Sequence, residues 1–337
     1  MEYTLDRRRR AMTVGAILML IAAGIVILSL NTGSIRLSPM TVIQTFIGKG
    51  SPDDTMVLFE FRLPRILVTL LAGIGLGISG AILQGLSKNS LADPGILGIH
   101  AGASFGLILF VTFFHSMNSM SSLLIPFFTF AGGTAAALLI VWLAYDRHQG
   151  FLPVRLLLIG IAVSAGFSAI SLFLSLSLDE QTYAFTARWL IGSVWGRDWI
   201  HVYTLLPWIA FIVPYVLLQS KSLNAFSLGD ELAAGIGTPV RRQRLLLLAC
   251  AVALSCASVA MSGGIGFIGL VAPHIARRLV GPMHQHFLII AGLVGLVILV
   301  AADTIGRSIF QPNAIPAGVV VAAVGAPYFL YLLRRTK

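Results

Sequence analysis

The stretch LLLLACAVALSCASVAMSGGIGFIGLVAP, residues 245–273, decides how many times the chain turns. It is longer than the roughly 20 apolar residues that one membrane-crossing helix needs, and Ser262-Gly263-Gly264 interrupts it. Glycine lowers helix stability and permits a tight turn, so the stretch divides into a full span and a short returning half. Further apolar runs lie near 11–30, 63–86, 96–115, 122–145, 152–178, 200–220, 283–309 and 315–333. With 245–273 undivided, the run count is odd and the two ends fall on opposite sides. Yet Arg7, Arg8, Arg9 and Arg10 at one end, and Arg334, Arg335 and Lys337 at the other, both ask for the cytoplasm under the positive-inside rule. Division restores parity: an all-α, polytopic transmembrane helical bundle of about ten spans with both termini cytoplasmic. The same layout puts Lys88, Arg147, Arg155, Lys221, Arg241, Arg242, Arg244, Arg277 and Arg278 inside.

Composition points the same way. Of 337 residues, 57% are hydrophobic and 11% charged, against roughly 25% charged in ordinary soluble domains, and the mean hydropathy is +0.91. The net charge of +10 does not indicate a nucleic-acid partner, because the basic residues sit between long apolar runs rather than in stripes on a polar surface. The run 11–30 follows a basic cluster as a signal peptide would, but it is long enough to span and no small-residue cleavage pattern follows closely, so it reads as a retained first helix. Cys250 and Cys256, the only cysteines, fall inside one apolar stretch and read as small hydrophobes. Glycines four residues apart, Gly73/Gly77, Gly98/Gly102 and Gly102/Gly106, read as sites of close helix packing.

The longest polar connections, about 31–62 and 179–199 outside and 221–244 inside, are too short to fold alone. Residues 1–337 therefore read as a single transmembrane permease domain, and any energy source or soluble receptor comes from another chain. Ion-coupled transporters and proton pumps need ionisable groups at membrane depth; Asp303 is the clearest acidic residue inside an apolar run, and it lies near Arg307 at the run's outer end. No His-Glu-x-x-His zinc site, Gly-x-Ser-x-Gly elbow or Gly-x-x-x-x-Gly-Lys-Ser/Thr phosphate cradle occurs. No cofactor and no metal ligand is singled out: His100 and His115 read as loop or interface histidines, and His274, His284 and His286 lie inside. What remains is a passive pathway opened by another chain, with an ion-coupled secondary transporter as the alternative from a different class.

Between glycine breaks, the cytoplasmic loop at about 221–240 offers a short amphipathic helix. Leu228, Leu232 and Ile236 recur at four-residue spacing as one apolar stripe, and Asp230 and Glu231 mark an acidic start. Such a helix would seat in a groove on a soluble partner or lie on the membrane surface.

Six motifs then occur in order: Arg62-Leu-Pro-Arg65, Asn89-Ser-Leu-Ala-Asp-Pro-Gly-Ile-Leu-Gly98, Trp189-Leu-Ile-Gly-Ser193, Gly264-Ile-Gly-Phe-Ile-Gly-Leu-Val-Ala-Pro-His274, Ala301-Ala-Asp-Thr-Ile-Gly-Arg307 and Gly325-Ala-Pro-Tyr-Phe329. The ordered set resembles the iron-siderophore and vitamin B12 permeases of binding-protein-dependent ABC importers, the FecCD family, from about residue 20 to the end. The resemblance implies a ten-helix subunit in the bacterial cytoplasmic (inner) membrane. It would pair with a second permease subunit, identical or paralogous, above two ATPase subunits and below an extracytoplasmic substrate-binding protein. By the same resemblance, Leu228 to Gly237 corresponds to the cytoplasmic coupling loop, with Leu228, Gly229, Asp230, Glu231, Ala234 and Gly237 matching its pattern. Arg62, Arg65 and Arg307 correspond to outward-facing arginines that meet acidic residues of the binding protein. Guanidinium forks bind carboxylates bidentately, although snorkelling or local pairing with Glu60 and Asp303 would also occupy them.

The chain departs from the family pattern at Ser90, where proline is usual, at Met283 and Gln285, where charged residues are usual, and at Ala314, where glutamate is usual. The altered segment from Gln311 to Pro316 bears on the surroundings of Arg307. The implied cargo is a ferric chelate of the siderophore type, with cobalamin or haem as the alternatives for the same machine.

Overall fold

In hydrocarbon a backbone must satisfy its own amides and carbonyls, and a helix does so within one segment. The computed structural model accordingly turns the apolar runs into helices; it describes residues 2–33, 35–114, 121–146, 150–151, 153–309 and 314–335. His115, Arg147, Gln311 and Lys337 lie outside the described residues. In chain order the helices are α1 (Glu2–Asn31), α2 (Pro39–Phe46), α3 (Pro52–Thr55), α4 (Leu63–Ser87), α5 (Ile99–Phe113), α6 (Ser121–Ala144), α7 (Pro153–Ser175), α8 (Glu180–Leu190), α9 (Trp199–Leu218), α10 (Ser220–Ser227), α11 (Asp230–Gly235), α12 (Val240–Ser262), α13 (Ile268–Val280), α14 (His284–Ile309) and α15 (Ala317–Arg335). The only strands among the described residues are two antiparallel dipeptides, Tyr145–Asp146 and Gly150–Phe151. Seven described helical stretches are long and apolar enough to cross a membrane, and α5 and Ala317–Leu332 are shorter apolar helices.

Helix α4 is the axis of the bundle. In the stretch Pro52–Ser87 that contains it, 78% of the most apolar window is buried, against 6% in the window of α1. Its packing follows from glycine: a methyl on Gly73 would lie 2.6 Å from the Gly295 carbonyl and 2.7 Å from Leu296 Cα, and one on Gly77 or Gly80 would overlap the carbonyls of Ala291 and Gly269. Backbones of α4, α13 and α14 therefore touch directly, which small residues allow. Gly102 and Gly106 of α5 do the same against α6, so the packing role read for these glycines holds.

The decisive break lies where the sequence puts it. Helix α12 ends at Ser262 and α13 begins at Ile268, with Gly263 at φ +79° and Phe267, unusually for a bulky residue, at φ +66°. The Trp189–Ser193 turn plugs the gap: Gly264 N donates to the Trp189 carbonyl at 3.3 Å, and Gly318 N donates to the Gly192 carbonyl at 2.9 Å. A methyl on Gly263 would meet the Trp189 carbonyl at 2.6 Å.

The sequence reading of 31–62 as a polar connection needs revision over its last third, from Pro52 onward. Helix runs without interruption from Pro52 through a π-helical stretch, Met56–Arg62, into α4. Ser51 and Asp54 start it with a reciprocal cap: the Asp54 amide donates to Ser51 Oγ at 3.1 Å, and the Ser51 amide donates to Asp54 Oδ2 at 3.4 Å. The wide π turn shifts the helical register just before Arg62, and Trp199 Nε1 donates to the Phe59 carbonyl at 2.8 Å.

Candidate functional site: an arginine-lined cavity and a tethered short-helix pair

At one end of the bundle the π stretch, the N-terminal turn of α4, the last turns of α14 and the loop before α9 enclose a cavity of ≈ 560 Å³. Arg62, Arg65 and Arg307, separated by up to 245 positions in sequence, all line it together with Glu60, Arg197 and Asp198. The three arginines picked from sequence are thus brought together, and each is already engaged. Arg62, 5% exposed, donates from its two terminal nitrogens to the Leu30 and Ile35 carbonyls. Arg307 Nη2 donates to the Ser29 carbonyl at 2.7 Å and to Ser29 Oγ at 2.5 Å. Between these two guanidiniums lies Gly33, at φ +145°, where a methyl would sit 3.4 Å from Arg62 Nη2 and 3.5 Å from Arg307 Nη1.

Arg65 takes the local partner that sequence left open. Its Nε lies 3.1 Å from both carboxylate oxygens of Asp303, and its Nη2 lies 2.6 Å from Oδ1. Asp303 is 2% exposed and the Arg65 side chain 13%, so this pair is largely removed from water and joins α4 to α14. Among the described residues, no ion pair joins Glu60 to any of these arginines. Sequence reasoning missed Arg197, half-buried in the same wall, whose Nε has no hydrogen-bond partner among the described residues. Burial lowers its pKa to about 10 while neighbouring Asp198 opposes the shift, which leaves it protonated at neutral pH. Its place in the connection 179–199, directly after the Trp189–Ser193 motif, was the available signal.

At the opposite end of α4 the short helix read between glycine breaks is present as α11, starting at the acidic Asp230, and a separate helix, α10, precedes it. Helix α10 ends at Ser227 and α11 occupies only Asp230–Gly235, because Gly229 at φ +110° breaks the helix between them. Leu228 therefore caps the first helix and Ile236 the second. The apolar stripe extends past both ends of α11, and Leu228, Leu232 and Ile236 are 60%, 62% and 65% exposed. Glu231 and Ala234 are exposed beside them. Gly237 at φ +85° closes α11: its amide donates to the Ala234 carbonyl at 2.9 Å, and the Thr238 amide donates to the Ala233 carbonyl at 3.0 Å.

The opposite face of this pair is tethered. Leu223, Phe226 and Ala233 are fully buried. Asp230 accepts from Arg244 Nη2 at 2.7 Å and lies 3.4 Å from Lys88 Nζ; the Arg244 hydrogen bond, first, holds its carboxyl below the usual carboxylate range. Asn224 fixes α10 to α14 by accepting from the His284 amide at 3.0 Å and pairing with Gln285 Oε1 at 3.0 Å. The pair thus presents an apolar ridge outward from an anchored base.

Seven long apolar helical stretches among the described residues, packed through glycine-mediated backbone contacts, define a multi-pass membrane protein of the helical-bundle class. The chain belongs to the FecCD transport family, whose model matches residues 17–335. It is 43% identical over 335 residues to the iron(3+)-hydroxamate import system permease protein FhuG of Bacillus subtilis, covering 98% of this chain and 99% of that protein. It is 38% identical over 318 residues to the Fe(3+) dicitrate transport system permease protein FecD of Escherichia coli, covering 94% and 96%. Its fold matches a solved metal-chelate type ABC transporter in an inward-facing conformation, with a TM-score of 0.83, 30% identity and coverage of 96% of this chain and 99% of that one.

Proposed function

We propose that this chain is the membrane-spanning permease subunit of a binding-protein-dependent ABC importer that carries ferric chelates of the siderophore type. The observation that carries the reading is likeness along nearly the full length to permeases of iron-chelate import systems, one of them 43% identical over 335 residues. In this reading the chain is a single transmembrane permease domain in the bacterial inner membrane, with about ten spans and both termini cytoplasmic. The tenfold count adds α5, α13 and α15 to the seven long apolar stretches. The chain performs no chemistry. A second permease subunit, identical or paralogous, completes the pathway, and two ATPase subunits supply the energy.

The arginine-lined cavity then faces outward and receives acidic side chains of the substrate-binding protein. Arg62, Arg65 and Arg307 form its fixed walls, and Arg197 adds a guanidinium whose Nε has no partner among the described residues. The coupling loop of about 221–240 faces the ATPases: Leu228, Leu232 and Ile236 are the seat, Gly229 and Gly237 set the turns, and Asp230 ties the loop to α4 and α12. Glu231 and Ala234 lie on the same exposed side.

The test is ATP hydrolysis by the assembled complex in lipid, with and without loaded binding protein. Stimulation that disappears when this permease is omitted supports the reading. Hydrolysis indifferent to the permease, with uptake that instead follows an imposed ion gradient, favours the ion-coupled alternative.

A further inference from the structure

A second polar cavity, of ≈ 370 Å³, lies beside the tethered pair, between α4, α10, α13 and α14. Its polar lining is Gln84, Lys88, Ser90, Ser227, Arg277 and His284. Three of these present buried atoms with no hydrogen-bond partner among the described residues: Gln84 Oε1, Arg277 Nε and His284 Nε2. Gln84 and His284 are themselves 2% and 3% exposed. Buried polar groups left unpaired are costly, and three of them around one cavity mark a place built to be occupied.

The hydrogen-bond pattern fixes what the occupant must offer. Gln84 Nε2 donates to the Leu270 carbonyl at 3.4 Å, so its free oxygen is an acceptor. Asn224 Oδ1 lies 2.8 Å from His284 Nδ1 and also accepts from the His284 amide, while Asn224 Nδ2 donates to Gln285 Oε1. Nδ1 therefore carries the imidazole hydrogen, and Nε2 is left as a lone-pair acceptor. Two acceptors thus call for hydroxyl donors. Arg277, stacked at 4.8 Å over the Phe287 ring, calls for negative charge; Lys88 beside it lies 3.4 Å from Asp230 Oδ1 and has ammonium hydrogens left to donate. Water alone supplies the donors and no charge; chloride or sulfate supplies charge and no donors. Gly85 keeps the space open, since a methyl there would lie 2.8 Å from His284 Nε2.

We propose that this cavity binds a hydroxyl-bearing phosphate ester of the glycerol-phosphate type, its phosphate on Arg277 and Lys88 and its hydroxyls on Gln84 Oε1 and His284 Nε2. The choice of phosphate rests on the topology reading above, which puts this end of α4 at the membrane rim, where phosphate esters are the abundant anions. Because Asn224 holds both His284 and Gln285, an occupant that fixes His284 also fixes α10 and the exposed ridge beyond it.

Binding is measured on the purified full chain in neutral detergent, without ATPases or cargo, so that it does not depend on whether import is the function. The probes are phosphatidylglycerol, phosphatidylcholine, free glycerol phosphate and citrate, read by native mass spectrometry. One phosphatidylglycerol should bind at least about tenfold more tightly than phosphatidylcholine, a difference of roughly 1.4 kcal/mol. Arg277→Gln and Gly85→Ala should each remove most of that preference, with thermal melting confirming that both variants fold. Binding of free glycerol phosphate with no lipid preference assigns the site to a soluble ester. Citrate binding as well as glycerol phosphate overturns the phosphate assignment, and no preference among all four probes on the unmodified chain shows a water-filled cavity and overturns the proposal.

Discussion

Arg65 of α4 closes a fork on Asp303 of α14, with Nη2 2.6 Å from Oδ1 and Nε 3.1 Å from both carboxylate oxygens. The pair sits on the same two helices whose backbones touch at Gly73 and Gly295. Removing one member of a buried pair strands the other, which costs about 3 kcal/mol or more. Asp303→Ala should therefore lower the thermal midpoint of the purified protein markedly, and Arg65→Met combined with Asp303→Leu should restore much of it. A double variant no more stable than the single one would remove the ion pair as the cause.

Charge reversal separates the arginines by their partners. Arg62 and Arg307 hold backbone carbonyls at Leu30, Ile35 and Ser29, so Arg62→Glu and Arg307→Glu should reduce folded protein as well as transport. Arg197→Glu alters the wall of the cavity without removing such a tether. It should weaken binding-protein-stimulated ATP hydrolysis at least about tenfold, the loss of one charge-assisted contact, while size-exclusion profiles stay unchanged. Full stimulation in Arg197→Glu would contradict docking at this cavity.

The exposed ridge of the short-helix pair makes a different prediction. Leu232 is 62% exposed, so Leu232→Glu should leave the permease as stable as before. In the assembled complex the same variant should lose ATPase attachment, seen as loss of co-purification. Normal co-purification and transport would return the ridge to a membrane-surface role.

Asp230 gives a pH dependence with a definite sign. Its folded pKa is depressed, first by the Arg244 hydrogen bond. The stabilisation it provides is therefore present above the unfolded aspartate value, about 3.9, and is lost as pH falls through the lower folded value. Since the side chain is 47% exposed, the contribution is small. Asp230→Asn should lower the amide-exchange protection across 230–237 at neutral pH severalfold, whereas protection in the unaltered protein, corrected for the intrinsic pH dependence of exchange, should hold from neutral pH down to mildly acidic pH. Equal exchange in the two proteins at neutral pH would show that the bridge to Arg244 and Lys88 does not hold α11.

Gly80 tests the packing. A methyl there would overlap the Gly269 carbonyl at the start of α13, and overpacking of this kind costs about 3 kcal/mol. Gly80→Ala should lower the melting midpoint and the yield of folded protein; Gly166→Ala, where nothing lies within 4 Å of the added methyl, should change neither.

Hydropathy made most of the helical runs readable, because a backbone in hydrocarbon has few alternatives to a helix. The interruption at Ser262-Gly263-Gly264 was readable because glycine acts locally. The π stretch Met56–Arg62 was not: its register shift accompanies contacts with Trp199, 140 residues away. The same limit governed the arginines. The resemblance to the family's motifs grouped them as one set, but the bonds to Leu30, Ile35, Ser29 and Asp303 exist only once α1, α4 and α14 pack. In the segment 221–240 the glycine breaks and the acidic pair located α11, and four-residue spacing identified Leu228, Leu232 and Ile236 as exposed, yet spacing did not show that Leu228 and Ile236 cap two different helices.

Uptake of radiolabelled iron in ferric-siderophore, ferric-citrate and cobalamin-competed forms, compared between cells carrying and lacking this gene, tests the central claim most directly. The account predicts loss of uptake of one ferric chelate, restored by the intact gene and not by Leu232→Glu. Undiminished uptake of every ferric chelate, or uptake that survives loss of the ATPase and fails only when the ion gradient is collapsed, would contradict it.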